Sequence, residues 1–265
     1  MSNIHSSSIV DPNAKLGSGV EIGPFCVIGP HVELGDGCKL HSHVVIEGHT
    51  ILGANCEVFP FASLGHIPQD LKFHGEKSRL IIGSNNTIRE YVTMNPGTEG
   101  GGLVTRVGSH CLFMGQAHVA HDCQIGDHVI LANGAAIAGH CVVGDHAIFG
   151  GLSAVHQFVR IGEYAFVGGM SGVESDVIPY GIVVGPRATL KGLNIVGIKR
   201  SGLNRSQLKH LRKAYDLLFA DEGTLSERTE KVEKTLSDDE RVGRILEFIR
   251  ADSSRALALP KQDST

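Results

Sequence analysis

Stepping six residues at a time from Val10, the chain returns an aliphatic side chain at Leu16, Ile22, Ile28, Leu34, Leu40, Ile46, Leu52, Val58 and Leu64. The phase resumes at Ile82, Ile88 and Met94. It then slips by one residue and runs from Val107 through Phe113, Val119, Ile125, Leu131, Ile137, Val143, Phe149, Val155, Ile161 and Val167 to Val173. A period of six fits neither an amphipathic helix nor a simple alternating strand. It fits a parallel β-helix with three short strands per coil and one aliphatic side chain pointing inward from each. At about eighteen residues per coil the hexads imply about eight coils, a prism roughly 40 Å long. The fourth residue after each aliphatic is usually small or β-branched, as at Val20, Cys26, Ala62 and Ala117, and fills the remaining interior. Glycine, of which there are 34, and asparagine are expected to supply the corners.

Two stretches break the repeat. Residues 66–79 replace regular hexads while keeping the phase, and residues 99–106, containing GGGL, introduce the slip. A rigid solenoid interrupted by loops carries its chemistry on those loops. The hexads stop before Lys191, which divides the chain into a β-helix over 1–190 and a helical C-terminal domain over 191–265. There Ser206 is expected to cap a helix bearing Leu208, Leu211, Tyr215, Leu218 and Phe219. Thr224 with Glu227, and Ser237 with Glu240, read as capping boxes. Residues after about Ser253 read as a loose tail.

Charge follows the same division. Nine of the 24 Lys and Arg precede residue 191, against 16 of the 28 Asp and Glu, so the first part is acidic and the second basic. An acidic prism disfavours nucleic acid as a partner. No run of eighteen apolar residues exists, which excludes a spanning helix. MSNIHSSSIVD has neither the basic nor the apolar region of a secretory signal, so a cytoplasmic protein without stable membrane insertion is expected.

The six cysteines, Cys26, Cys38, Cys56, Cys111, Cys123 and Cys141, all occupy the small interior position, which makes them packing residues rather than metal ligands or disulfides. Most of the 15 histidines, including His31, His43, His49, His128 and His146, fall at the third residue after an aliphatic, an outward turn position. Four form a tighter group: His118 and His121 in AHVAHDC, His140 in LAGHC and His156 in AVHQF. His140 follows His121 by one coil plus one residue, and His156 by two coils minus one, which places them near one edge. Asp122 directly follows His121 and is placed to orient its imidazole. On these residues alone, general-base catalysis, a zinc site and plain surface polarity all remain open.

GHIPQDLK at Gly65 to Lys72, NPGT at Asn95 to Thr98, AHVAHDC at Ala117 to Cys123, AVHQF at Ala154 to Phe158 and GLNIVGIKR at Gly192 to Arg200 resemble the UDP-N-acetylglucosamine O-acyltransferases over nearly the full chain. The resemblance implies a left-handed β-helix, a homotrimer with active sites between subunits, and the first reaction of lipid A synthesis. In that reaction a 3-hydroxyacyl group passes from acyl carrier protein to the 3-hydroxyl of the GlcNAc of UDP-GlcNAc. It implies His121 as base, Asp122 as its orienter and the Gly139 N–H as oxyanion donor. His118, His140, Gln69, Asp70 and Lys72 would hold sugar and diphosphate, His156 and Gln157 would line the cleft, and Asn194 and Arg200 the nucleotide end. Gly169 matches a position that measures acyl length. No metal or other cofactor is implied, because the donor arrives on the carrier's phosphopantetheine. Arg187, Val196 and Ser201 depart from the residues common in the family near the nucleotide. The competing readings are the related N-acyltransferase of the same pathway, acylation of a 3-amino sugar, a β-helical zinc carbonic anhydrase, and a silent scaffold.

Overall fold

The computed structural model describes residues 2–200, 202–236 and 238–261. Its strands, mostly two residues long, stack into three parallel sheets of eleven, nine and eight strands that form the faces of a prism. The first face carries Asn3–Ile4, Glu21–Ile22 and every third strand onward. The second starts at Ile9–Val10 and the third at Lys15–Leu16. Register steps by eighteen residues, as in Asn3↔Glu21, except across the two irregular stretches, where His49 pairs with Arg79 and Arg79 with Val104, and at the last coil, where Phe166 pairs with Ile182. Both loops therefore leave from one corner, between the second and third faces.

The hexad aliphatics form the interior. Ile28, Leu40, Ile46, Leu52, Leu64, Ile82, Ile88, Phe113 and Phe149 are fully buried, each worth about 1.5–3 kcal/mol relative to exposure. The cysteines are buried and unpaired. Five of the thiols reach a backbone carbonyl fifteen residues on, as Cys26 to His41 at 2.9 Å, Cys123 to Ala138 at 3.1 Å and Cys141 to His156 at 3.1 Å, and Cys56 reaches Gly83 across the first insertion.

The corners differ from expectation. Many left-handed positions hold neither Gly nor Asn but His43, His110, His128, His146, Tyr164 or Tyr180, with φ between 55° and 63°. A left-handed non-glycine residue costs roughly 1–2 kcal/mol. Ring stacking between coils offsets that cost: His110 on His128, His128 on His146 and His146 on Tyr164 have centroids 4.9, 4.6 and 4.5 Å apart. Three of the histidines thus belong to one stacked column.

An antiparallel hairpin, Gly181–Val184 with Thr189–Leu193, ends the first face. Among the described residues four helices follow: α1 Ile195–Arg200, α2 Arg205–Leu218, α3 Leu225–Leu236 and α4 Glu240–Arg250. The cap of α2 is Asn204, not Ser206, because Asn204 and Gln207 each accept the other's backbone N–H at 3.0 Å. The Thr224–Glu227 box caps α3. The second box falls on Ser237, which lies outside the described residues, and Asp239 caps α4 by accepting from Arg241. Leu211, Ala214, Leu218, Val232, Val242 and Ile245 make a separate core.

The stretch after Ser253 is not loose up to Pro260. Asp176 donates to Ala256 and accepts from Ala258, both at 2.8 Å, and Leu190 donates to Leu259. The edge left open by the last coil supplies the backbone partners that hold this strand.

Candidate active site

His121 and Asp122 leave the second face just after His118–Val119 and turn the corner toward the third, with Asp122 in the left-handed region at φ 61°. Both side chains are buried. His121 Nδ1 lies 2.8 Å from Asp122 Oδ2. Asp122 also accepts from the Thr98 backbone N–H at 2.8 Å and from the Thr98 hydroxyl at 2.6 Å, while its own N–H donates to Thr105 Oγ1 at 2.7 Å. A carboxylate with this many donors has one orientation. Because it only accepts, the His121 proton sits on Nδ1 and Nε2 is left with a free lone pair.

Two glycines make the arrangement possible. A Cβ on Gly139, one coil on, would lie 2.5 Å from His121 Cε1 and 2.6 Å from Nε2. A Cβ on Gly101 would lie 2.0 Å from Asp122 Cγ, so only glycine lets the 95–103 loop close over the carboxylate. The Gly139 N–H, next to the His121 ring, finds no acceptor among the described residues.

Around this pair, His140 meets His121 edge-to-face at 4.9 Å, stacks on Phe158 at 4.5 Å, and holds Nδ1 3.8 Å from Asp122 Oδ2. Its pKa is lowered by burial, with the Asp122 charge opposing. His118 Nδ1 is 2.7 Å from Thr93 Oγ1, and burial lowers its pKa too. Two neutral imidazoles therefore flank His121 near pH 7. Ligand atoms of His121, Asp122 and His140 lie within 4.8 Å of one another, close enough to hold a cation. Against this, Asp122 already commits both oxygens to Thr98 and His121.

The 66–79 loop hangs over the same corner. Asp70 accepts from the Lys72 N–H at 3.0 Å, and the charges of both residues act on His140 in opposite senses. Gln69 and Lys72 are exposed. Asn95 holds the loop's base through the His66 carbonyl, and Glu76 Oε1 accepts from the Glu99 N–H, joining the two loops.

His156 and Gln157 lie two coils on at this corner, both exposed; the structure gives them no contact with His121. Arg255 donates to the Gln157 carbonyl at 2.9 Å and lies 2.6 Å from His156 Nδ1. Gly169 is on a different corner, between the first and second faces. Asn194 is at the third corner, buried, with Nδ2 on the Tyr164 carbonyl and Oδ1 on the Gly197 N–H. Arg187 pairs with Glu174 at the surface and Val196 is exposed on α1. The Arg200 side chain and Ser201 lie outside what is described. Thr98, Thr105 and Arg255 carry no role in the sequence reading.

A hexad prism with a histidine–carboxylate pair beside an open backbone N–H defines the class of hexapeptide-repeat transferases. Residues 1–35 and 105–139 match the family described as bacterial transferase hexapeptide (six repeats). Residues 176–258 match the second domain of UDP N-acetylglucosamine O-acyltransferase. The acyl-[acyl-carrier-protein]–UDP-N-acetylglucosamine O-acyltransferase of Methylobacterium radiotolerans is 64% identical over 78% of this chain and 76% of its own length. That of Rickettsia canadensis is 51% identical over 96% and 97%. Among solved structures, LpxA from Acinetobacter baumannii superposes with TM-score 0.93 at 42% identity, covering 96% of this chain and 99% of that one. The Arabidopsis UDP-N-acetylglucosamine acyltransferase gives 0.85 at 37%, over 96% and 99%. The chain belongs to the UDP-N-acetylglucosamine O-acyltransferase family, and its prism is the left-handed β-helix of that family.

Proposed function

We propose that this chain moves a 3-hydroxyacyl group from acyl carrier protein to the 3-hydroxyl of the GlcNAc of UDP-GlcNAc, with His121 as general base. The observation that carries the mechanism is the buried Thr98–Asp122–His121 array, which leaves Nε2 free beside an uncommitted Gly139 N–H. Nε2 takes the sugar hydroxyl proton as the oxygen attacks the thioester carbonyl. The Gly139 N–H donates to the developing oxyanion, a fixed dipole that needs no reorganisation. On collapse the C–S bond breaks and His121 returns the proton to the departing thiolate. No metal or cofactor enters the scheme.

His118, His140, Gln69, Asp70 and Lys72 take the sugar and diphosphate, Lys72 supplying positive charge at the exposed loop tip. His156 and Gln157 line the cleft, Gly169 limits the acyl chain, and Asn194 and Arg200 meet the nucleotide. Because the His121 group, Gly169 and Asn194 occupy three different corners of one prism, a site using all of them needs more than one chain. A closed homotrimer is the assembly that brings unlike corners of three-sided prisms together. Lys209 and Arg212 on α2, in the basic half of the chain, are assigned to the acidic carrier protein. Among the described residues no helix is long and apolar enough to cross a membrane, and cytoplasmic residence fits both substrates.

The test is single turnover with UDP-GlcNAc and a set of 3-hydroxyacyl carrier proteins. The wild type is expected to form product after exhaustive chelation, and His121→Ala to lose nearly all of it. Product only with a 3-amino sugar, or only after adding zinc, would overturn the assignment. Charge reversal at Lys209 and Arg212 is expected to raise the Michaelis constant for the carrier; an unchanged constant rejects that docking face.

A further inference from the structure

The strand after Ser253 folds back along the end of the β-helix and sets one side chain against the row of corner residues that contains His121. Arg255 Nη2 is 2.6 Å from His156 Nδ1, and its Nε donates to the Gln157 carbonyl at 2.9 Å. The arginine is anchored at its own backbone, where its N–H donates to Ser253 Oγ at 3.1 Å. Ser253 in turn donates to Asp176 Oδ2 at 2.7 Å. Asp176 is fully buried and also accepts from the Arg160 N–H and Nε at 2.8 and 2.7 Å, so the chain of contacts ends on a rigid point.

A guanidinium only donates. The imidazole nitrogen facing it therefore accepts, and the ring proton of His156 is placed on Nε2. The Gln157 carbonyl lies 3.4 Å from the same Nδ1 but is already held by Arg255 Nε at the shorter distance. We infer that Arg255 is a positioning residue for the reaction: it fixes His156 as the Nε2–H tautomer, so that this histidine meets the bound acyl donor or sugar as a hydrogen-bond donor. This rests on the reading that His156 lines the cleft. It gives two histidines of the same corner, two coils apart, different chemistry. His121 is turned by a carboxylate to expose a lone pair, and His156 is turned by a guanidinium to expose a proton.

Arg255→Met removes both donations but leaves the backbone pairing of Asp176 with Leu257 and of Leu190 with Pro260, so the strand stays docked. Nitrogen-15 NMR of labelled histidine is expected to find His156 as Nε2–H in the wild type and as a tautomer mixture in Arg255→Met. Turnover per Michaelis constant is expected to fall about tenfold, the effect of one lost charge-assisted hydrogen bond, while the melting temperature holds. Arg255→Lys, which keeps one donor, is expected to recover part of the rate. In the double variant Arg255→Met with His156→Ala, the loss is expected to equal that of His156→Ala alone. Additive losses, or an unchanged tautomer in Arg255→Met, would overturn the inference. Wild-type turnover in His156→Ala with the tautomer shift still seen would instead refute the cleft reading, and with it the catalytic use of the contact.

Discussion

Replacing Gly139 with alanine adds one methyl group at the point where two coils approach closest to the His121 ring. The new carbon would sit 2.5 Å from Cε1, 2.6 Å from Nε2 and 3.1 Å from Nδ1. Carbon contacts settle near 3.5–4.0 Å, so the ring must retreat by about 1 Å. The Nδ1–Oδ2 hydrogen bond is 2.8 Å long, and a shift of that size takes it beyond hydrogen-bond range. Asp122 cannot follow, since Thr98 holds it twice and Gly101 presses on it from the loop. The variant thus keeps the backbone N–H proposed for the oxyanion while losing the aim of the base. Misplaced general-base catalysis costs about 10²–10⁴ in rate, or about 3–5 kcal/mol of barrier. The assay is single turnover at saturating UDP-GlcNAc and acyl carrier protein, with a thermal melt alongside. Gly100→Ala serves as control, because a Cβ there meets nothing within 4 Å. A Gly139→Ala enzyme within threefold of wild type would refute the reasoning, since the ring would then have been free to move without consequence.

Thr98→Val keeps shape and the backbone donation but removes the 2.6 Å hydroxyl bond to Asp122; it is expected to cost about 1–3 kcal/mol of stability and to slow turnover about tenfold, with Thr98→Ser near wild type in both melt and rate. Burial lowers the folded-state pKa of His118 and His140, so the unfolded chain takes up protons first and stability falls as pH drops below about 6.5. Melts between pH 7.5 and 5.5 should show that decline and His118→Gln should flatten it; a decline equally steep in the variant rejects the attribution. A side chain at Gly169 would start 3.3 Å from the Gly151 carbonyl and project from the corner. In competition assays Gly169→Met is therefore expected to shift preference toward shorter acyl donors, and an unchanged preference would remove Gly169 from the acyl path.

The prism was legible because its information is local and repeated: one aliphatic residue per hexad and one small residue four places later set every inward position, and the cysteines followed from their phase. The corners were less so, because a left-handed histidine is tolerated only when another ring stacks on it one coil away, and no short window reveals that. Asn204 and Gln207 have the spacing of a capping box, whereas the apolar spacing alone points to Ser206. His121 and Asp122 stood out as neighbours, whereas Thr98 and Thr105 reach Asp122 from 24 and 17 residues away. They arrive through a loop that breaks the repeat by which distances were counted. The segment at 256–260, Ala-Leu-Ala-Leu-Pro, is apolar throughout but too short and too far outside the hexad phase to announce itself; its partners are backbone groups of Asp176 and Leu190, which any sequence offers.

The stacked coils also bear on how such a chain is free to diverge. Within the prism each coil pairs its strands with the coil before and the coil after, so the β-helix is a one-dimensional series of rungs. Both insertions enter at the same corner and leave the other two undisturbed. A lineage can lengthen, shorten or recharge those insertions, and so change what is recognised above the base, without renegotiating the interior. The prism acts as a ruled scale: the insertions can be rewritten at one corner while the hexad interior that holds the rungs in line stays as it is.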